Sequence, residues 1–219
     1  MMALPSGLVD FLIEQPDLRI APGETSALRL SGLYTLDATH PAAGRVTRTY
    51  DLTIEIPADF PSQPPLAFEV GGKIPRDSDF HVNSHDQSLC LGSPLALRRV
   101  LRRWPSLDEF LAKTLRPYLY AVTVKLDTGR DFVFGELRHG TDGLVQDLAD
   151  DLHLPETRVV AALDLLLMPS DLAGIQVCPC ECGRLLGDCE LRERLNEIRD
   201  LASETWLQQL RAAIRSTIA

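Results

Sequence analysis

The sequence lacks several features that mark common functional classes. No run of apolar residues approaches the length of about 18 that suggests a membrane-spanning helix. An export signal has a positively charged region before its apolar residues, and the N-terminal stretch of this sequence has no such charge. Basic residues are also in the minority, because 22 Lys and Arg stand against 31 Asp and Glu for a net charge of −9. Since nucleic-acid affinity depends on clustered Lys and Arg, these absences predict a cytoplasmic protein that binds neither membranes nor nucleic acid.

Cysteine is scarce, and its distribution is uneven. Only five cysteines occur: four lie between positions 178 and 189, and Cys90 stands alone. An odd number of cysteines in a chain with no predicted export signal does not indicate a disulfide framework. The spacing instead predicts one functional or core thiol and a separate four-cysteine cluster.

Hydrophobic periodicity predicts an α+β fold. "GLVDFLIEQ" is typical of a short amphipathic helix that ends before Pro16, and residues 28–38 and 46–56 alternate with the period of two expected of half-buried strands. "PPLAFEV" follows as a third strand, and the short connections favour an antiparallel meander. We expect an antiparallel sheet of about four strands flanked by helices.

The helical segments suggest two domains, residues 1–150 and 151–219. A helix is predicted from Ser106, which forms a capping-box pattern with Glu109, and Pro117 is expected to kink its last turns. Further amphipathic patterns start near Thr141 and Pro155, and the charged C-terminal stretch is also helical in pattern.

The segment 71–95 has no periodicity and is too long for an idle loop in a compact domain. It contains "FHVNSHDQSLCLG", in which Cys90 follows His81, Asn83 and His85. One interpretation of Cys90 is a small buried hydrophobe. The other is a nucleophile whose thiolate is favoured by a nearby histidine or by backbone amides.

The order of motifs resembles that of the ubiquitin-conjugating enzymes over roughly residues 8–125. A strand is followed by Phe60-Pro61, a double proline, "HVN", "LCLG" and then Trp104-Pro105 at the start of a long helix. "HVN" replaces the family's His-Pro-Asn, and an additional "SPLALRRVLRR" follows the cysteine. Both departures are similar to bacterial members, as is "GELRHGTDGL" at residues 135–144.

The resemblance implies a ubiquitin-conjugating fold and a thioester on Cys90. Because attack on a thioester creates an oxyanion, the Asn83 amide is a candidate donor, with a purely structural role in the turn as the alternative. The resemblance implies that His81 buttresses the turn and that Asp127, in "VKLDTG", helps to deprotonate the incoming lysine. His85 is interpreted mainly as a solvated loop residue.

The cluster "CPCECGRLLGDC" is typical of a zinc site, because four thiolates can surround the ion tetrahedrally. It also resembles the SEC-C motif, in which Cys-Pro-Cys is followed by a third cysteine nine residues after the second. That motif's fourth ligand falls here at Glu190, and Cys182 can substitute for it. The predicted ligands are Cys178, Cys180, Cys182 and Cys189 of a small zinc knuckle with structural zinc; a redox or vestigial cluster is the alternative.

The resemblance implies that the protein is a bacterial ubiquitin-conjugating-like enzyme. Its partners would be a ubiquitin-like modifier, an adenylating activating enzyme and a protein target. Two rivals remain open: a non-catalytic binding module of the same fold, and a cysteine hydrolase that uses Cys90 with His81 or His85. The hydrolase is disfavoured because the sequence offers no third group to orient the histidine.

Overall fold

A computed structural model describes residues 4–22, 27–135, 138 and 140–218. Contacts divide the chain into two compact units, Met1–Glu136 and Leu137–Ala219. This division falls one helix earlier than the predicted domain boundary at residue 150. Three residues of the segment 135–144, Glu136, Leu137 and His139, lie outside the described residues. Within the described ranges no helix is long and apolar enough to cross a membrane.

The first unit contains four strands and four α-helices among its described residues. In chain order they are α1 (Leu8–Glu14), β1 (Leu18–Ala21), β2 (Leu28–His40), β3 (Gly44–Ile56), β4 (Leu66–Glu69), α2 (Pro94–Arg103), α3 (Leu107–Lys113) and α4 (Leu115–Thr128). The strands form one antiparallel sheet in the order β1-β2-β3-β4. The α+β class and the four-stranded antiparallel sheet flanked by helices are confirmed, and β1 is a strand that the periodicity did not single out.

The period of two in β2 and β3 places one face of the sheet in the core. Tyr34 pairs with Tyr50 and Leu30 pairs with Ile54 across the two strands, and all four side chains are buried. Gly32 shares this face, where a side chain would collide with the backbone oxygen of Asp17 at 2.2 Å. The buried face joins α1, α3 and α4 in a single hydrophobic core.

The predicted long helix is two helices, and the break lies at Thr114 rather than at Pro117. The Thr114 hydroxyl donates to the Phe110 carbonyl at 2.8 Å, and its backbone departs from helical angles. Pro117 is the third residue of α4, where a backbone N–H has no intrahelical acceptor, so proline does not disturb the helix.

The predicted capping box at the start of α3 does not form. The Ser106 hydroxyl donates to the Glu109 carboxylate at 2.7 Å instead of accepting a backbone N–H.

The second unit is helical. Its described helices are α5 (Gly140–Leu152), α6 (Val159–Leu166), α7 (Ser170–Gly174), α8 (Leu191–Leu201) and α9 (Glu204–Ile218). α5, α6, α8 and α9 pack together, and Ile198 and Ile214 are fully buried. Arg199 of α8 donates to the Leu166 carbonyl at 2.8 Å, which satisfies the C-terminal end of α6.

Candidate functional site

Cys90 lies at the end of a small hairpin that follows β4. Val82 and Leu89 form an antiparallel bridge, and the Asn83 N–H donates to the Ser88 carbonyl at 2.8 Å. The Leu89 N–H donates to the Ala67 carbonyl at 2.8 Å, which attaches the hairpin to β4. The next residue, Cys90, donates its N–H to the His81 carbonyl at 2.8 Å. The hairpin therefore fixes the backbone that carries the thiol.

Two side chains, Glu69 and Tyr118, hold the segment between β4 and the hairpin. The Glu69 carboxylate is buried and accepts the backbone N–H groups of Gly71, Lys73 and Ile74 at 3.1, 3.0 and 3.4 Å. The Tyr118 hydroxyl donates to the Phe80 carbonyl at 2.7 Å, immediately before His81. α4 and the end of β4 thus both anchor this loop.

The thiol of Cys90 is half-buried. Burial raises the pKa of Cys90 above its ordinary value, and a backbone hydrogen bond with Gly92 acts in the opposite direction without cancelling it. The Cys90 sulfur is also a long donor to the Gly92 carbonyl, at 4.0 Å. The backbone contact favours the thiolate, as expected, but desolvation of the thiolate outweighs it and the net shift favours the protonated thiol.

Asn83 takes part in a hydrogen-bonded chain inside the hairpin. Its Nδ2 donates to Ser88 Oγ at 2.9 Å, and that hydroxyl donates to Asp86 Oδ1 at 2.7 Å. The same carboxylate oxygen accepts the Ser88 N–H at 2.9 Å. One N–H of the Asn83 amide is therefore used within the turn. An amide nitrogen has two N–H donors, so the second is the one a reacting oxygen would engage.

The two histidines of this segment have different surroundings. His81 has a left-handed backbone, with φ of 52°, and its ring packs edge-on against Phe132 with centroids 4.7 Å apart. The His81 carbonyl accepts the Cys90 N–H, so His81 supports the turn. The His85 side chain is 76% exposed, and its Nε2 lies 3.2 Å from Asp86 Oδ2. Within the described ranges no hydrogen bond joins either imidazole to the Cys90 thiol.

Asp127 lies in the last turn of α4 and not in a loop after it. Its carboxylate forms an ion pair with Arg48 of β3. The helix continues to Thr128 because Gly129, with φ of 68°, supplies the left-handed residue that ends it. The predicted loop position of Asp127 is therefore wrong, and its catalytic role stays a prediction.

Sequence reasoning missed Tyr118 and Phe132. Tyr118 is on the buried side of α4; burial first, and then the nearby charge of Cys90, place the pKa of this tyrosine well above its usual range. Phe132 follows the end of α4 and packs on His81. Tyr118 could have been found from the sequence, because it occupies an apolar position of a predicted helix. A buried tyrosine hydroxyl there needs a hydrogen-bond partner, which indicates a contact with a neighbouring loop.

The four cysteines of the second unit come together. Their sulfur atoms all lie within 4.8 Å of one another, and Cys178–Cys180, Cys180–Cys189 and Cys182–Cys189 are 3.1, 3.5 and 3.8 Å apart. Thiolates bound tetrahedrally to one zinc ion are about 3.8 Å apart, given a metal–sulfur distance of about 2.3 Å. The set can therefore hold a metal ion.

The backbone explains how the crowded spacing brings the thiols together. Val177 and Leu185 form an antiparallel bridge, and Glu181 and Gly183 have left-handed backbones at the tip, with φ of 63° and 74°. Cys189 comes from the short turn before α8. Glu190, at the SEC-C fourth-ligand position, is 83% exposed and lies 3.7 Å from Arg194. Cys182, and not Glu190, therefore lies where it could act as a fourth ligand.

The cluster is electrostatically uneven. A backbone hydrogen bond from Arg184, together with Cys180, lowers the pKa of Cys182 to about 6, whereas burial raises the pKa of Cys178 well above its usual range. A cation that binds all four sulfurs would favour their deprotonated form at every position.

No family model, no curated protein sequence and no solved structure matches the chain.

Proposed function

We propose that the first unit is a ubiquitin-conjugating-like enzyme and that Cys90 carries the C-terminus of a ubiquitin-like modifier as a thioester. The observation that supports this is the half-exposed Cys90 thiol at the end of a hairpin attached to β4, in an α+β unit with a four-stranded antiparallel sheet. The order of "HVN", "LCLG" and Trp104-Pro105 along the chain resembles that of ubiquitin-conjugating enzymes and supports this choice of function.

The proposed reaction has two acyl transfers. An activating enzyme delivers the modifier, and the Cys90 sulfur attacks the carbonyl carbon of its thioester and displaces the donor thiol. A target amine then attacks the new thioester, the carbon–sulfur bond breaks, an amide forms, and the amine proton passes to the departing sulfur. Cysteine suits this role because its thiolate is both a nucleophile and a good leaving group.

The proposed metal of the second unit is structural zinc. Four thiolates leave no open coordination position, and a site without one stabilises a fold rather than activating water. The ligands Cys178, Cys180, Cys182 and Cys189 join a hairpin to the start of α8, and we propose that the metal stabilises this knuckle. The free thiols required by both sites suit a reducing compartment such as the cytoplasm.

A second candidate is a non-catalytic module that binds a modifier or a target. Three observations favour it: one donor of Asn83 is used by Ser88, Asp127 is paired with Arg48, and burial raises the pKa of Cys90. A binding module needs the fold and its surface but no reactive thiol.

An adduct-trapping experiment separates the two candidates. Tagged full-length protein, Cys90→Ser and Cys90→Ala are produced in the native cells, purified and weighed by intact mass spectrometry. We expect a mass addition on the wild type that reductant removes, and the same addition on Cys90→Ser as a reductant-resistant oxyester.

Cys90→Ala is the matched control and is expected to carry no addition. An addition that survives on Cys90→Ala would place the modifier elsewhere on the chain. If neither the wild type nor Cys90→Ser gains mass, the conjugating function fails and the binding module takes its place.

A further inference from the structure

The chain contains very little lysine. Of its 22 basic residues, Lys73, Lys113 and Lys125 are lysines and the remainder are arginines, and no lysine follows position 125. Arginine forms many of the ion pairs of the described residues, including those that join Arg211 and Arg215 to Asp164. Arginine thus supplies nearly all of the positive charge.

Lysine and arginine differ in their reactivity toward thioesters. A lysine amine that loses its proton attacks the carbonyl carbon and forms a stable amide. The guanidinium of arginine keeps its charge at pH values up to about 12 and does not act as a nucleophile. A surface that is cationic through arginine alone offers charge without an amine.

The helix that follows the candidate thiol has this composition. α2 begins four residues after Cys90 and carries four arginines and no lysine. Leu95 and Leu101 are buried on its apolar side, while Arg102 and Arg103 are exposed. Each of these arginines marks a position where a lysine would present an amine in the same unit as the thiol.

The three lysines are each held by a local contact. Lys73 Nζ donates to the Thr49 carbonyl at 2.6 Å. Lys113 Nζ lies 5.1 Å from the centre of the Trp104 ring, and Lys125 Nζ lies 4.8 Å from that of Phe132 and 5.6 Å from that of Phe80. Contact with the face of an aromatic ring stabilises the charged ammonium, which is not nucleophilic.

We infer that the scarcity of lysine protects the loaded protein from acylating itself, so that the acceptor amine comes from another molecule. This inference rests on the proposed thioester at Cys90. In the reaction that is avoided, the nitrogen of a lysine side chain would attack the thioester carbon, the carbon–sulfur bond would break, and the proton of the amine would pass to the Cys90 sulfur. The result would be an amide on the chain itself.

The test introduces amines at the arginine positions of α2. The full-length wild type, Arg102→Lys, Arg103→Lys and the double variant are incubated with a synthetic peptide thioester that ends in Gly-Gly and exchanges onto cysteine. Reductant then removes thioesters, and intact mass and peptide mapping measure the amide that remains. Arg102→Gln with Arg103→Gln is the control that removes the charges without adding amines.

We expect the lysine variants to acquire reductant-resistant peptide at the new positions at least about tenfold faster than the wild type acquires it anywhere. We expect the glutamine control to match the wild type. Two outcomes overturn the inference and leave the proposed function standing. One is loading of Cys90 without modification of the new lysines. The other is rapid modification of Lys73, Lys113 or Lys125 in the wild type. If the wild type acquires no more thioester-linked peptide than a Cys90→Ser reference sample, Cys90 does not load, and both the inference and the proposed function are overturned.

Discussion

At the scale of single residues, Cys90 combines a fixed backbone position with an unfavourable electrostatic setting for its half-buried thiol. Its backbone is fixed by the His81 carbonyl, yet burial raises its pKa above the ordinary value. Such a thiol is mostly protonated at neutral pH and reacts slowly with small electrophiles. A partner that brings an acyl group and a base into place would accelerate its acylation.

The raised pKa predicts the pH dependence of Cys90 alkylation. Iodoacetamide should modify Cys90 more slowly than free N-acetylcysteine at pH 7, because a smaller fraction of the buried thiol is ionised. The rate should rise about tenfold per pH unit below the pKa and continue to rise where the rate of the free thiol has levelled off. Mass spectrometry of the peptide containing Cys90 measures both rates; a Cys90 rate that levels off first would contradict the prediction.

Asn83 and Ser88 offer a matched pair of variants. With the peptide thioester on Cys90 and free lysine as acceptor, Asn83→Ala should still load but discharge about 100-fold more slowly, the loss typical of one oxyanion donor. Ser88→Ala removes the partner of Asn83 Nδ2 but keeps the amide, so its discharge should fall much less. Equal losses in both variants would assign Asn83 to the turn alone.

The cysteines of the two candidate sites could be identified from the sequence, but the contacts around them could not. Cys90 and the four clustered cysteines stand out because thiols are few and their spacing is short. The pairing of Asp127 with Arg48 joins residues 79 positions apart, and no local pattern encodes it. Burial of the Cys90 thiol likewise depends on how the surrounding elements pack.

At the scale of elements, hydrophobic periodicity predicted the strands best where the alternation of apolar and polar residues was long. β2 and β3 each have 13 residues, so their period of two is unmistakable. β1 and β4 have 4 residues each; β4 was identified next to a double proline, and β1 was not singled out. The break between α3 and α4 falls at Thr114, where a side chain competes for a backbone carbonyl, and not at the more conspicuous Pro117. A proline matters through its place in the helix as well as its presence.

The turn after β4 gives a prediction about stability. Glu69→Ala leaves three backbone N–H groups without their acceptor and should lower the free energy of unfolding by about 2 kcal/mol. Glu69→Gln keeps one acceptor oxygen and should lose less. Urea unfolding in a Trp206→Phe background, where Trp104 fluorescence reports on the first unit, measures the difference; an unchanged midpoint for Glu69→Ala would show that the carboxylate does not hold the turn.

At the scale of the whole molecule, the two units have different sources of stability. The first has one continuous hydrophobic core beneath its sheet. In the second, helices bury apolar side chains, while the stretch from Cys178 to Cys189 holds four sulfurs in a short hairpin and turn. Removing a metal from such a site should therefore affect one unit and spare the other.

Metal analysis of protein purified without chelator should find about one zinc per chain. Cys180→Ser with Cys189→Ser should lose the metal and raise hydrogen exchange over residues 176–190, while residues 28–56 keep their protection. Cys90→Ser is the matched control and should bind zinc like the wild type. Metal-free wild-type protein with full protection at residues 176–190 would contradict a structural metal.

The hairpin that carries Cys90 also covers an edge of the sheet. β4 is an outer strand, and an uncovered outer strand is a template for pairing with another chain. The hydrogen bond from Leu89 to Ala67 occupies part of that edge. Changes that detach the hairpin would therefore displace the thiol and expose β4 together, so loss of loading in such variants should be accompanied by aggregation.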